Sequence, residues 1–181
     1  VISRGRTGRG QHIDISMTEG VMAFNMFGAN SYFADGRDPE AESLWMNGGA
    51  LYDFYETKDG KYISVGSIEP QFFSAFCIAI DRSDLIQGGI APINVDEVKF
   101  QGRETIKSKT RDQWTDIFEK IDACVEPVLA LSEAIDSKHA KERGVVVELD
   151  VPNAGKICQI ANPVRFSEDI LEYRWAGCAA G

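Results

Sequence analysis

Histidine is scarce in this chain: His12 and His139 are the only two. With so few imidazoles, no Ser-His-Asp or Cys-His set can be drawn with any specificity. Paired cysteine spacing is missing too. Cys77, Cys124, Cys158 and Cys178 are scattered without a Cys-x-x-Cys unit, which argues against both a zinc cluster and a disulfide framework. Free thiols in a cytoplasmic protein are the expectation, with no metal and no cofactor implied. Long apolar runs are also lacking. The longest uncharged stretch, residues 20–34, is too short to span a bilayer and contains Asn25, Asn30 and Ser31. Nothing at the start has the n-region or cleavage site of an export signal, so no membrane partner is expected. Positive charge is in deficit, 19 Lys and Arg against 28 Asp and Glu, for a net −9. That balance argues against a nucleic-acid surface and makes any polyanionic ligand depend on local basic residues. What remains is a soluble-type composition, 44% hydrophobic over 181 residues, enough for one sizeable core or two small ones. Val1 opens in what reads as a loop, as if the chain were a piece of something longer.

Periodicity predicts alternating helices and strands. SRGRTGRGQ has no apolar period and reads as a basic loop, and HIDIS alternates as a short strand. A helix is expected from about Thr18 to Phe33. One stripe of it is Met17, Val21, Phe24 and Gly28, another Met22, Met26, Ala29 and Phe33, so both sides need covering by protein or ligand. The turn-rich ADGRDPEAES is a candidate domain boundary. LYDFYET and KYISVGS flank Lys58-Asp59-Gly60 as a hairpin, and Pro70 suits the first turn of a helix running to about Ile80. VDEVKFQGRETIKS is weakly amphipathic. Thr110 is a fitting N-cap for TRDQWTDIFEKID, whose buried face is Trp114, Ile117, Phe118 and Ile121. CVEPVLAL reads as a strand interrupted by Pro127, LSEAIDSKHAKERG as a helix closed by Gly144, and GVVVELD with KICQIANPVRF as a hairpin around PNAG. The class is α/β in two parts.

Several residues invite chemistry. GRTGRG reverses the glycine order of a dinucleotide-binding fingerprint and precedes a strand, so a solvated basic loop is the plainer reading. His12 shares a strand face with Asp14, an arrangement that is usually structural, and His139 reads as a solvated helix residue. Met22, Met26 and Met46 suit either a core or a surface that accepts variable acyl chains. Glu69, a carboxylate in VGSIEPQFF at a strand-to-helix corner, is either a helix-start residue favoured by the dipole or something more specific.

Four successive blocks decide between these. GRGQHIDISMTEGVM, NGGALYDFYETKDGKYISVGSIEPQFF, DACVEPVLALSEAI and NPVRFS resemble, in order and spacing, the α-methylacyl-CoA racemase branch of the family III CoA-transferases, also called the CaiB/BaiF family. The resemblance covers the second half of such an enzyme. The family's first half carries most CoA contacts and the catalytic aspartate and histidine. What the resemblance implies is as follows. Residues 1–34 are a strand and helix ending a Rossmann-like large domain, 35–46 a linker, 47–133 a small α/β domain, and 134–181 a return toward the large domain of an interlocked dimer. Glu69 pairs with the catalytic histidine of the other subunit. Gly48 and Gly49 form a turn whose backbone passes close to an acyl thioester, Tyr52 lines that site, and Met22, Met26 and Met46 present a surface to the acyl chain. The family pattern places a proline and a further aromatic after Gly-Gly-Ala, where this chain has Leu51 before Tyr52. The partner implied is an acyl-CoA, a substrate and not a cofactor, and the assembly a homodimer or oligomer that includes the missing half. The activity implied is racemisation at the α-carbon, with this chain silent on its own. A CoA-transferase of the same superfamily and a non-catalytic interaction module are the alternatives.

Overall fold

The computed structural model describes residues 1–46, 48–151, 155–168 and 171–173. The chain divides into two compact units, residues 1–127 and 128–181.

In the first unit, α1 (Ile2–Thr7) occupies the stretch expected to be a loop. Its bonds are local, Gly5 N–H to the Val1 carbonyl at 2.9 Å and Gly8 N–H to that of Arg4 at 2.8 Å. It buries nothing, so no apolar period could announce it. Residues 12–16, expected as a strand, carry no ladder, and alternation alone cannot make a strand without a neighbour to pair with. The single helix expected next is two, α2 (Met17–Phe24) and α3 (Met26–Asp35), broken at Asn25. Ser16 caps α2 by accepting the Glu19 N–H. The apolar residues of both helices face outward, Phe24 at 91% exposure, and of α2 and α3 only Gly28 is buried.

A hairpin follows as expected. β1 (Asp53–Glu56) pairs antiparallel with β2 (Tyr62–Val65), Asp53 opposite Val65. Gly60 takes the turn with φ 70°, and the Asp59 carboxylate accepts from Thr57 Oγ1 at 2.6 Å and from the Arg111 N–H at 3.0 Å. α4 (Pro70–Ala79) starts at its proline, a 3-10 turn spans Ser83–Gly88, and α5 (Val95–Ile106) follows. Thr110 caps α6 (Arg111–Phe118) in a reciprocal capping box with Gln113. β3 (Val125–Val128) joins β2 on the side away from β1.

The core gathers Leu51, Tyr55, Ile63, Val65, Phe73, Phe76, Trp114 and Phe118. Phe118 stacks between Phe76, 6.1 Å away, and Trp114, 5.9 Å away. Trp114 Nε1 donates to the Ile106 carbonyl at 2.7 Å, satisfying the one polar atom of a fully buried indole.

In the second unit the helix expected from Leu131 to Gly144 is again two, α7 (Leu131–Asp136) and α8 (Lys138–Glu142), with Ser137 leaving the helical region and capping α8 through Oγ. β4 (Val146–Val151) and β5 (Gly155–Ile160) form an antiparallel pair from Val146 opposite Ile160 to Val151 opposite Gly155. Most of the PNAG turn, residue 47, at which the small domain was expected to begin, and the tail from residue 174, with Cys178, lie outside the described residues. Among the described residues no helix is long and apolar enough to cross a membrane.

Candidate functional site at the strand-to-helix corner

β2 ends at Val65, and after four intervening residues Pro70 opens α4. Glu69 sits between them in extended conformation (φ −73°, ψ 142°), its carbonyl accepting the first helical bond from Phe73 N–H at 2.9 Å. The corner is held from a distant part of the chain. Gly66 N–H donates to the Cys124 carbonyl at 2.8 Å, and Ser67 Oγ, fully buried, donates to the Ala123 carbonyl at 2.5 Å. Cys124 adopts φ 51°, a left-handed conformation that a side chain makes unfavourable, and so turns its carbonyl toward Gly66. Gly66 faces both neighbours: a Cβ there would lie 3.4 Å from the Cys124 carbonyl oxygen and 3.5 Å from the Tyr52 ring, at van der Waals contact.

Tyr52 and Glu69 therefore belong to one corner, together with Gly66 and Cys124. Burial pushes the Cys124 thiol above its ordinary pKa, and the negative charges of Asp122 and Glu69 push it the same way. Glu69 is exposed and accepts no hydrogen bond from the first turn of α4. The helix-start reading thus retains only a dipole contact, typically about 0.3–1 kcal/mol. Chemically the corner offers an available carboxylate, a neutral thiol and a half-buried aromatic ring. It can orient and charge a cationic partner such as an imidazolium. Proton transfer on two faces of a carbon needs a second group on the opposite side.

The two glycines form a separate, tight turn. Gly48 has φ 85°, and its Cβ would come 2.9 Å from that of Glu42. A Cβ on Gly49 would come 2.3 Å from the Ser43 carbonyl oxygen, so nothing larger fits. Gly49 N–H donates to the Leu44 carbonyl at 2.9 Å. Beside this turn an apolar groove of about 550 Å3 is lined by Phe27, Ser31, Leu44, Trp45 and Met46. Met46 is thus in a groove, half open to solvent, whereas Met22 and Met26 stand exposed on α2 and α3 outside that lining. None of the three is core filler. His12 and His139 are both exposed.

Sequence reasoning passed over Lys99 on α5. It is only 5% exposed, and its ammonium donates to the Gly48 carbonyl at 2.6 Å and meets the Asp53 carboxylate at 2.7 Å. A signal existed: Val98, Lys99, Gly102 and Ile106 are one helical stripe, and it is the buried one. Ser67 and the left-handed Cys124 carried no comparable signal, since only the folded loop gives them their partners.

The family model described as CoA-transferase family III matches residues 1–181. The chain is 33% identical to the human alpha-methylacyl-CoA racemase over 80% of its own length and 38% of that protein's. It is 24% identical to the acetyl-CoA:oxalate CoA-transferase of Acetobacter aceti over 91% of the chain and 42% of that protein. A crystal structure of a CAIB/BAIF family protein from Brucella suis superposes with a TM-score of 0.68 at 22% identity, covering 94% of this chain and 45% of that one. The mixed α/β fold is thus that of CaiB/BaiF structures, and the chain spans about two fifths of the length of the curated relatives it matches.

Proposed function

Because the chain belongs to CoA-transferase family III, we propose that it is the C-terminal part of an acyl-CoA enzyme that inverts the α-carbon of a 2-methylacyl thioester. The reaction is a 1,1-proton transfer: a base removes the α-proton to give an enolate, and an acid returns a proton to the opposite face. Within it, Glu69 orients and charges a histidine supplied from outside this chain, in an interlocked dimer whose Rossmann-like large domain includes residues 1–34 and the return segment 134–181. Residues 47–133 form the small domain. Gly48 and Gly49 offer backbone to the thioester, Tyr52 walls the site, and Met22, Met26 and Met46 give the acyl chain a surface on which it can shift. The enzyme acts in the cytoplasm and needs no cofactor beyond its CoA substrate.

The observation that carries this reading is the Glu69 carboxylate, held at a rigid corner yet uncommitted to its own helix. The resemblance to racemases, 33% identity against 24% for the transferase, supports it. The test is incubation of the complete enzyme with 2-methylbutanoyl-CoA in deuterium oxide. Deuterium entering the α-carbon with loss of stereochemical purity is expected. Glu69→Gln should leave stability within about 1 kcal/mol but lower kcat/KM about tenfold or more, equivalent to roughly 1.4 kcal/mol. It should also move the histidine-governed rate limb to lower pH, because the imidazolium loses its counter-charge. Transfer of CoA to a carboxylic acid without α-exchange would replace the racemase reading with the transferase one. Exchange by the present chain alone would refute the assignment of Glu69 to a supporting role.

A further inference from the structure

The Gly48 carbonyl and the Gly49 N–H are the two ends of one peptide group. A glycine on each side of a peptide leaves that plane unusually free to flip, because neither residue has a Cβ to forbid the alternative. Here both ends are held. The N–H end donates to the Leu44 carbonyl at 2.9 Å, and the carbonyl end accepts from the Lys99 ammonium at 2.6 Å.

Lys99 is an unusual choice for that task. It lies on the buried stripe of α5, where a methionine would fill similar space without the desolvation of a charge. Fastening α5 to the hairpin does not require it. Arg103, exposed further along the helix, reaches the same Asp53 carboxylate at 3.2 Å, and Lys107, exposed at its C-cap, reaches Glu56 at 3.3 Å. What Lys99 adds to these is the bond to Gly48. Asp53, at the start of β1, holds the ammonium from the other side at 2.7 Å.

We infer that Lys99 is a positioning residue, whose ammonium, steered by Asp53, locks the Gly48–Gly49 peptide in the orientation that receives the acyl thioester. The inference rests on the proposed function for the identity of what the turn receives. A backbone that contacts the thioester outside the reacting carbon binds ground state and transition state alike. Its loosening weakens binding more than turnover.

The experiment uses the complete enzyme and 2-methylbutanoyl-CoA, with Kd from titration calorimetry and kcat and KM from α-proton exchange. Lys99→Met should raise Kd and KM about tenfold with kcat within about threefold. Lys99→Arg, which keeps the charge opposite Asp53 but presents a planar fork instead of a point donor, should restore the melting temperature and not the affinity. Lys107→Met, which removes an exposed tie of the same helix, should change neither constant. A wild-type Kd in Lys99→Met, or full recovery of Kd in Lys99→Arg, would overturn the inference. Should Lys99→Met not fold, Lys99→Arg decides alone, a raised Kd supporting the role. Failure of both to fold would make Lys99 simply structural. If the wild-type enzyme binds the thioester without exchanging its α-proton, the racemase reading falls while the Kd comparison still judges Lys99. If it binds no thioester, both fall.

Discussion

Ser67→Ala removes one oxygen atom from the corner that carries Glu69. The hydroxyl is fully buried and donates to the carbonyl of Ala123, itself fully buried, 56 residues away. Alanine leaves that carbonyl without its donor in a place water does not reach. An orphaned buried acceptor costs about 1–3 kcal/mol, more than the net worth of the bond, because its desolvation is no longer offset. For a chain of this length each kcal/mol lowers the melting temperature by roughly 2–4 °C, so a fall of about 2–12 °C is expected. Ser43 supplies the control. Its Oγ donates to the Glu40 carbonyl at 2.8 Å, but in the open, where water replaces the hydroxyl, and Ser43→Ala should change stability by under about 0.5 kcal/mol. Urea unfolding of the three proteins followed by far-UV circular dichroism compares them directly, with a common denaturant slope showing that only stability has moved. Were Ser67→Ala to match Ser43→Ala within that margin, the corner would not be held by this bond, and the reasoning from burial would be wrong.

Thiol reactivity should follow burial. Burial first, and the Asp84 charge second, push the Cys77 thiol up to about 11, so in native protein at mildly alkaline pH a disulfide reagent should label exposed Cys158 and leave Cys77 until the chain unfolds. Labelling of Cys77 at the rate of Cys158 would place it outside the core. Acid should weaken the Lys99 cluster. Burial raises the Asp53 pKa, but the Lys99 and Phe54 hydrogen bonds and the nearby positive charges outweigh it, and the carboxyl ends below its ordinary value. A depressed carboxyl stabilises the fold above its unfolded pKa and loses that contribution as pH falls through the folded one. The stability gap between wild type and Asp53→Asn should therefore be constant near neutrality and shrink from about pH 5 downward, as thermal melts across that range would record. A gap that widens in acid would reverse the assigned sign.

Local chemistry made some of this architecture readable. Asp59-Gly60 specifies a positive-φ turn, Pro70 a helix start and Thr110 a cap, and each acts over a few residues, which is why the hairpin, α4 and α6 stand where patterning puts them. The helix break at Asn25 was hidden because apolar residues continue in helical spacing across it, and the one at Ser137 because no glycine or proline interrupts the run before Gly144. α1 was hidden because it buries nothing. The site divides similarly. Glu69 and the glycine pair lie in contiguous motifs, and Tyr52 meets the Glu69 corner through Gly66. Lys99, Ser67 and Cys124 act across 51 to 58 residues of chain, a separation at which no local pattern reports a partner. The methionines could not be told apart in sequence for the same reason: Met46 lines a groove with Leu44 and with Phe27 of α3, while Met22 and Met26 stand exposed outside that lining.

The bonds that hold the Glu69 corner close a loop of more than fifty residues, and such a loop is tolerant of growth. Closure entropy rises only with the logarithm of length. Lengthening a 56-residue loop by ten residues adds about 0.15 kcal/mol, far less than the Ser67 bond is worth. Within it, the stretch around Pro92 and Ile93 lies between the 3-10 turn and α5, with Ile93 entirely in solvent. Ile90, whose carbonyl accepts from Leu51 N–H, marks where that freedom begins. Beyond it, related chains can acquire extra segments, and an experimenter can insert a reporter peptide, while Gly66 and Ser67 still find Cys124 and Ala123 and the carboxylate keeps its address.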